Sequence, residues 1–364
     1  MSAFSNKTVL ITGATGLMGS HIASFLLKEN NVKIVALSRN KEKLERIYKE
    51  YIKAGRVKII AQDASKPIND DIGCIDYIFH AASPISGAVI KESPVDVIEP
   101  NVLGTKYLLD FLKNQTQETG KKGRLVLFSS ATVYANNTSE NITVKEDETS
   151  IADNLDAVNS PYSESKRFIE VLAKAYSRQY GIETIIARFS YIYGPVPYMP
   201  NTAFYEFINK AERGEDITLN NSDIARRDNI YVEDAVRGVL LIAEKGISGE
   251  SYNISSNGDL GNFKAVDEMV QIISHQINES LNIKTQVKYL SEKSENRKPG
   301  ICMDNNKLKQ LGWNIQYSIE QGIGQETRGS RQHCFHRSAG HELCRARRNG
   351  RRFRESCCCA RQQG

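Results

Sequence analysis

The feature that most limits what this chain can fold into lies near its amino end. Thr8–Thr12 (TVLIT), a short apolar run with β-branched residues, breaks directly into Gly13-Ala14-Thr15-Gly16-Leu17-Met18-Gly19, and an amphipathic stretch, His21–Lys28, comes next. The succession reads as strand, glycine turn, helix. Val32–Leu37 (VKIVAL) and Val57–Ala61 (VKIIA) are further strand-like runs on either side of a charged helical segment from Lys41 to Ala54. Strands alternating with helices predict parallel pairing through right-handed crossovers. Tyr77–Phe79, Leu125–Phe128 and Thr184–Arg188 continue the pattern, the last of them after a long helix that starts near Pro161.

The fold class expected is α/β, a Rossmann-type doubly wound parallel sheet. In its first turn, glycines let the backbone approach a pyrophosphate, whose charge then sits on the amino end of the next helix. Gly13, Gly16, Leu17, Met18 and Gly19 are therefore candidate cofactor contacts. Asp63, just past the third strand, can accept from an adenine amino group or cap a local turn. Cofactor choice turns on the end of the second strand, where a carboxylate binds a ribose 2′-hydroxyl and a basic residue accommodates a 2′-phosphate. Leu37-Ser38-Arg39-Asn40 holds no carboxylate there. Arg39 tilts the choice between NAD and NADP toward NADP.

After Gly194-Pro195 the alternation loosens, and Pro195, Pro197 and Pro200 mark an irregular crossing. Residues 1–195 are read as mainly the NAD(P)-binding domain and 196–325 as mainly a smaller, mixed α/β substrate-binding lobe. Helices are expected at Phe204–Arg213, Val232–Glu244 and Phe263–Leu281, with a closing stretch at Lys307–Trp313. The segment Asn136–Asn159, rich in Asn, Asp and Glu, lacks apolar periodicity and reads as a surface excursion.

Tyr162 and Lys166 are four residues apart in Ser160-Pro161-Tyr162-Ser163-Glu164-Ser165-Lys166, a spacing that puts both on one helical face. An ammonium beside a phenol favours the phenolate. A phenol ordinarily titrates at about 10, and bringing it to neutrality takes about 4 kcal/mol of differential stabilisation, which the lysine and the second positive charge of an oxidised nicotinamide are expected to supply together. Ser130 closes the Leu125–Phe128 strand region, and carboxyl ends of strands in such sheets face the ligand crevice. Its hydroxyl can bond the reacting oxygen and share a proton with Tyr162.

These motifs resemble those of the extended short-chain dehydrogenase/reductase family, the NAD-dependent epimerase/dehydratase group, and particularly UDP-galactose 4-epimerase-type enzymes. Seven segments carry the likeness in order, from the GATGLMG turn through DYIFHAA (76–82), NVLGT (101–105), SSATVY (129–134), YSESK (162–166) and RFSYIYGP (188–195) to RDNIYVED (227–234). The resemblance implies Ser130 as proton-sharing hydroxyl, Tyr162 as acid/base and Lys166 as the residue that orients the nicotinamide ribose. It adds Ala81, Ala82 and Asn101 to the cofactor site, and it implies a nucleotide-sugar substrate held by Arg227 and Arg297. Ser190 stands where the epimerases commonly have a substrate-reaching Asn. Dehydratases carry an Asp-Glu pair after the catalytic hydroxyl and decarboxylases a Glu at the position of Thr132, whereas this chain has Ala131-Thr132. A 4-epimerase is the first expectation. An NADPH-dependent ketoreductase is the second, and a catalytically silent cofactor-sensing protein comes from another class.

Charge is informative only once it is divided along the chain. The formal net charge is +5, yet the residues from Glu326 onward hold ten Arg, no Lys and three acids, so residues 1–325 carry 38 basic and 40 acidic groups, net −2. The tail takes five of the seven Cys, leaving Cys74 and Cys302. Two separated thiols argue for a reducing compartment without a disulfide framework. The Arg run in 326–364 suggests a nucleic-acid arm and its Cys and His a metal site, but no spacing fits a zinc pattern and no apolar periodicity would fold it. That segment is read as disordered or non-native. No metal, nucleic acid or membrane partner is expected, the location is cytoplasmic, and the family implies a homodimer, with Leu108–Leu112 and Ile169–Ala175 as candidate faces.

Overall fold

The computed structural model describes residues 3–134, 140–148, 152–200, 202–219, 226–290 and 299–325. Arg297 and the 326–364 tail lie outside the described residues. The amino-terminal half runs β1 (Thr8–Thr12), α1 (Leu17–Leu26), β2 (Lys33–Ser38), α2 (Lys41–Lys53), β3 (Val57–Ala61), β4 (Tyr77–His80), α3 (Gly87–Glu92), α4 (Val95–Thr119), β5 (Arg124–Ser130), β6 (Ile142–Val144), α5 (Ser160–Tyr180) and β7 (Glu183–Phe189). Then come β8 (Tyr191–Tyr193), α6 (Ala203–Glu212), β9 (Ile217–Leu219), β10 (Arg226–Tyr231), α7 (Val232–Lys245), β11 (Ser251–Ile254), β12 (Phe263–Ala265), α8 (Val266–Leu281), β13 (Val287–Tyr289) and β14 (Ile301–Met303).

Seven parallel strands form the central sheet in the order β11-β7-β5-β4-β1-β2-β3. The chain builds outward from β1 to β3, then restarts at β4 on the other side of β1. The order therefore reverses between β1 and β4, the place where open α/β sheets bind ligands beyond their strand carboxyl ends. Alternation along β1 shows why the sheet needs helices on both faces. Val9 and Ile11 join a core that includes Ile22 and Leu26 of α1, while Leu10 joins Leu108, Leu109 and Leu112 of α4 on the other face. The sheet also draws on residues past 195, because β11 pairs with β7.

Three elements differ from the sequence expectation. The first helix starts at Leu17 and ends at Leu26, so it springs from the glycine turn itself. Phe263–Ala265, expected to be helical, instead pairs antiparallel with β10, and the Glu268 carboxylate accepts from the Ala265 N–H at 2.7 Å to start α8 behind it. Within the 136–159 excursion, β6 pairs in parallel with β14. A three-residue strand whose partner lies over 150 residues away leaves no periodic trace.

The carboxyl-terminal segment is pinned to the sheet's helical layer by Asp234 of α7. Its carboxylate accepts from the N–H groups of Gln316 (3.1 Å) and Tyr317 (3.0 Å) and pairs with Arg237, while its carbonyl accepts from Trp313 Nε1 at 3.0 Å. Tyr317 packs on Tyr231, and Tyr231 on Tyr193, so the pin supports β8 and β10 from behind. Asp234→Ala removes the buried carboxylate that Gln316, Tyr317 and Arg237 share and is expected to lower unfolding free energy by about 2–4 kcal/mol. A urea melt that leaves the midpoint unchanged contradicts this.

Candidate active site

The glycine turn is built for close approach. At Gly13 (φ +67°) a β-carbon would stand 2.8 Å from the Ala81 carbonyl and 2.9 Å from the Ala82 nitrogen, and at Gly19 it would stand 2.3 Å from the Gly13 oxygen. β1, β4 and α1 thus meet only because no side chain intervenes. Gly16 caps α1 with no side-chain hydrogen bond to the helix. The first-turn amides of the helix, with its positive dipole end, suit an anionic diphosphate. Thr12 Oγ1 bonds His80 Nδ1 at 2.8 Å and accepts from the Ala82 N–H at 3.2 Å, tying the ends of β1 and β4 together. Burial, helped by the Lys166 charge and opposed by the Pro100 carbonyl, pulls His80 down to about 3, so the ring is neutral at neutral pH.

At the end of β2, Ser38 Oγ bonds Thr15 Oγ1 at 2.8 Å. Arg39 Nη1 lies 3.9 Å from Asp63 Oδ2, and Asp63 Oδ1 accepts from the Ser65 N–H at 2.8 Å. The structure brings these two candidates together, with Arg39 largely exposed at 73% of its side chain. Leu17 and Met18 open α1, Met18 being buried.

Ser130, Tyr162 and Lys166 converge as the spacing requires. Pro161 sits in the first turn of α5, whose register carries both Tyr162 and Lys166 toward the carboxyl end of β5. Ser130 lies close enough to the Tyr162 phenol to oppose the rise that burial imposes on it, and accepts from the Thr132 N–H at 3.2 Å. Lys166 Nζ is 5.6 Å from the Tyr162 ring centroid and donates to the Phe128 carbonyl at 2.7 Å. Asn101 of α4 holds the same helix by donating to Ser165 Oγ at 2.9 Å, and its own Oδ1 is buried without a protein partner.

In the protein by itself, burial raises the Tyr162 phenol above its ordinary value, Ser130 opposing and Tyr191 adding. Burial also brings the Lys166 amine down to about 7, with the Glu170 carboxylate opposing. The cause is that the ammonium bonds a backbone carbonyl rather than the phenol, so desolvation of both groups dominates.

Of the substrate candidates, Arg227 stacks its guanidinium 4.4 Å over the ring of the exposed Tyr191, whose own phenol acts electrostatically on Tyr162. Ser190 turns to the sheet instead, its N–H and Oγ both directed at the Ile254 carbonyl (3.1 and 3.5 Å). Arg297 lies outside the described residues.

A buried network behind Lys166 escaped the sequence reading. Glu170 accepts from Ser129 Oγ (2.5 Å) and pairs with Arg188 through Nε (3.0 Å) and Nη2 (2.7 Å). Arg188 also donates to the Tyr134 hydroxyl (2.8 Å), which donates to Asn253 Oδ1 (2.7 Å). The available signals were a Glu four residues after Lys166 on a face otherwise made of Ile169 and Ala173, and an Arg closing an apolar strand run.

The NAD-dependent epimerase/dehydratase family model matches residues 9–255. UDP-glucuronic acid decarboxylase 5 of Arabidopsis thaliana is 31% identical over 327 residues, 88% of each chain, and dTDP-glucose 4,6-dehydratase of Escherichia coli is 25% identical over 86% of this chain and 90% of its own. The structure of UDP-glucuronic acid 4-epimerase from Bacillus cereus, in complex with UDP-glucuronic acid and NAD, superposes with a TM-score of 0.72 at 22% identity, covering 89% of this chain and 99% of that one. From residues 9–255, which span β1, the glycine turn, the Ser130–Tyr162–Lys166 cluster and β11, the chain is a member of the NAD-dependent epimerase/dehydratase family.

Proposed function

We propose that this enzyme is a nucleotide-sugar 4-epimerase. The carrying observation is the pair of residues after Ser130. Ala131 and Thr132 begin a short 3₁₀ helix, Ala131–Tyr134, and Thr132 Oγ1 is buried without a protein hydrogen-bond partner. Eliminating water or losing a carboxylate calls for an extra acid or base beside the reacting sugar, and neither Ala nor Thr supplies one. Epimerisation needs only one proton-transfer group. Tyr162, beside Ser130, takes the proton from a sugar hydroxyl and returns it after the 4-keto sugar has presented its other face.

The cradle fits NAD. Gly13, Gly16 and Gly19 leave room for the diphosphate, Ala81 and Ala82 line its approach, Asp63 and Arg39 stand at the adenosine end, and Lys166 and Asn101 hold the nicotinamide side. A bound nicotinamide would accept and return the hydride at C4 of the sugar and place a positive charge near Tyr162. Lys166 adds its own charge, and both favour the phenolate that burial otherwise disfavours. Arg227, with Tyr191 beneath it, supplies a planar cation suited to the nucleotide diphosphate, and Arg297 is a second candidate.

One observation favours a second reading, an NADPH-dependent 4-ketoreductase. The end of β2 offers Ser38 and the exposed Arg39 in place of a carboxylate. Mass spectrometry of what copurifies separates the two: retained NAD supports the epimerase, and an empty site that takes up NADPH supports the reductase.

For assembly we take a second copy of this chain as the partner. Of the stretches expected from sequence, Leu108, Leu109, Leu112, Ile169 and Ala173 are buried inside the protomer, whereas Val171, within Ile169–Ala175, is exposed. Exposed apolar residues of the same helices include Val95 (59%), Ile98 (39%), Phe168 (50%) and Val171 (61%). Among the described residues no helix is long and apolar enough to cross a membrane. A cytoplasmic location is part of this reading.

Two outcomes check the proposal. Tyr162→Phe is expected to cut turnover of UDP-glucose by about 10²–10⁴-fold while NAD binding, read by fluorescence, is retained. Full activity in that variant would remove Tyr162 from its role. Phe168→Glu is expected to shift the protein from dimer to monomer in sedimentation, and an unchanged sedimentation coefficient contradicts the interface.

A further inference from the structure

We propose that Glu170, clamped between Ser129 and Arg188, is the positioning residue that sets the charge of Lys166. The inference rests on the hydride-transfer reading above and adds a control to it. Glu170 is one helical turn beyond Lys166 and is the carboxylate whose charge acts on it. Both Glu170 oxygens are already engaged. Oε1 takes the Ser129 hydroxyl and Arg188 Nε, and Oε2 takes Arg188 Nη2. Ser129 and Arg188 are cross-strand neighbours in the β5–β7 ladder, so the two strands present both clamping groups to α5 from one register position.

Lys166 is 3% exposed, and its ammonium donates to a neutral backbone carbonyl, not to Glu170. A carboxylate neutralised by a bidentate guanidinium attracts a second cation weakly. The other groups facing the lysine do not replace it. Tyr162 on the same helix is neutral, as is His80 on β4. β5 offers hydroxyls and the Phe128 carbonyl, and the 3₁₀ segment after it gives Arg167 the Val133 carbonyl. α4 presents the uncharged Asn101 near this turn, its Asp110 being occupied farther along by Tyr176, Lys106 and Lys113. The lysine therefore holds its proton loosely near neutrality, in agreement with the direction in which burial moves its amine. Glu170 and Arg188 decide how loosely.

The test reads the lysine itself. The full chain is labelled with ¹³Cε-lysine, the Lys166 signal is assigned by its loss in Lys166→Met, and its titration is followed without cofactor or substrate. Glu170→Gln leaves Arg188 as an unopposed neighbouring cation and is expected to lower the midpoint by about one pH unit, whereas Arg188→Met frees the carboxylate for Lys166 and raises it by about as much. The double variant removes both charges and is expected to return close to the wild-type midpoint. Shifts of the same sign in both single variants, or no shift, overturn the proposal. Should the arginine variants not fold, the near-isosteric Glu170→Gln decides alone: a fall supports the proposal and an unchanged midpoint overturns it. The pH profile of UDP-glucose turnover is expected to move with the midpoint. A shifted midpoint in a protein that turns over no nucleotide sugar would leave the charge control standing and reject the reaction assigned above.

Discussion

A β-carbon at Gly13 would lie 2.8 Å from the Ala81 carbonyl, just past β4, and one at Gly19 would lie 2.3 Å from the Gly13 oxygen. These contacts are shorter than any side chain tolerates, so the ends of β1 and β4 and the start of α1 pack backbone to backbone. The rest of the site depends on that approach. It brings the amides at the start of α1 next to the point where the strand order reverses, and it lets Thr12 bridge His80 and Ala82. The cofactor cradle and the cluster at the end of β5 then open on the same edge of the sheet.

The second constraint is burial of charge. Lys166, Glu170 and Arg188 are all largely removed from water, and buried ions persist only when geometry pairs them. Here the strong pairing goes to Glu170 and Arg188, leaving Lys166 with a carbonyl. Burial by itself accordingly keeps Tyr162 protonated. A phenolate becomes accessible when positive charge is added beside it, which in the proposed mechanism would couple proton transfer to occupancy of the nicotinamide side.

The local physics of the sheet and of the acid/base helix was legible in the sequence. Strand, glycine turn and helix follow from apolar runs and glycine spacing, and the four-residue interval from Tyr162 to Lys166 is a property of one helix. The features that escaped the reading depend on distant partners. β6 exists because β14 hydrogen-bonds to it, and Phe263–Ala265 is a strand because β10 is beside it. The Ser129–Glu170–Arg188 clamp joins two strands and a helix, and the local signals, an acid on an apolar helix face and an arginine closing a strand, do not name their partners. Leu108 and Ile169 illustrate the same limit from the other side. Apolar positions on a helix can cover either the protomer's own sheet or a partner, and here they cover the sheet.

Central to the proposed mechanism is that one site removes a hydrogen from C4 of a sugar and returns it to the other face. UDP-glucose carrying deuterium at C4 tests this most directly, with the product examined by NMR. The mechanism predicts UDP-galactose that retains deuterium at C4 without exchange with solvent. Product in which that deuterium has been lost, or a protein that only consumes NADPH in reducing a 4-keto sugar, would contradict it.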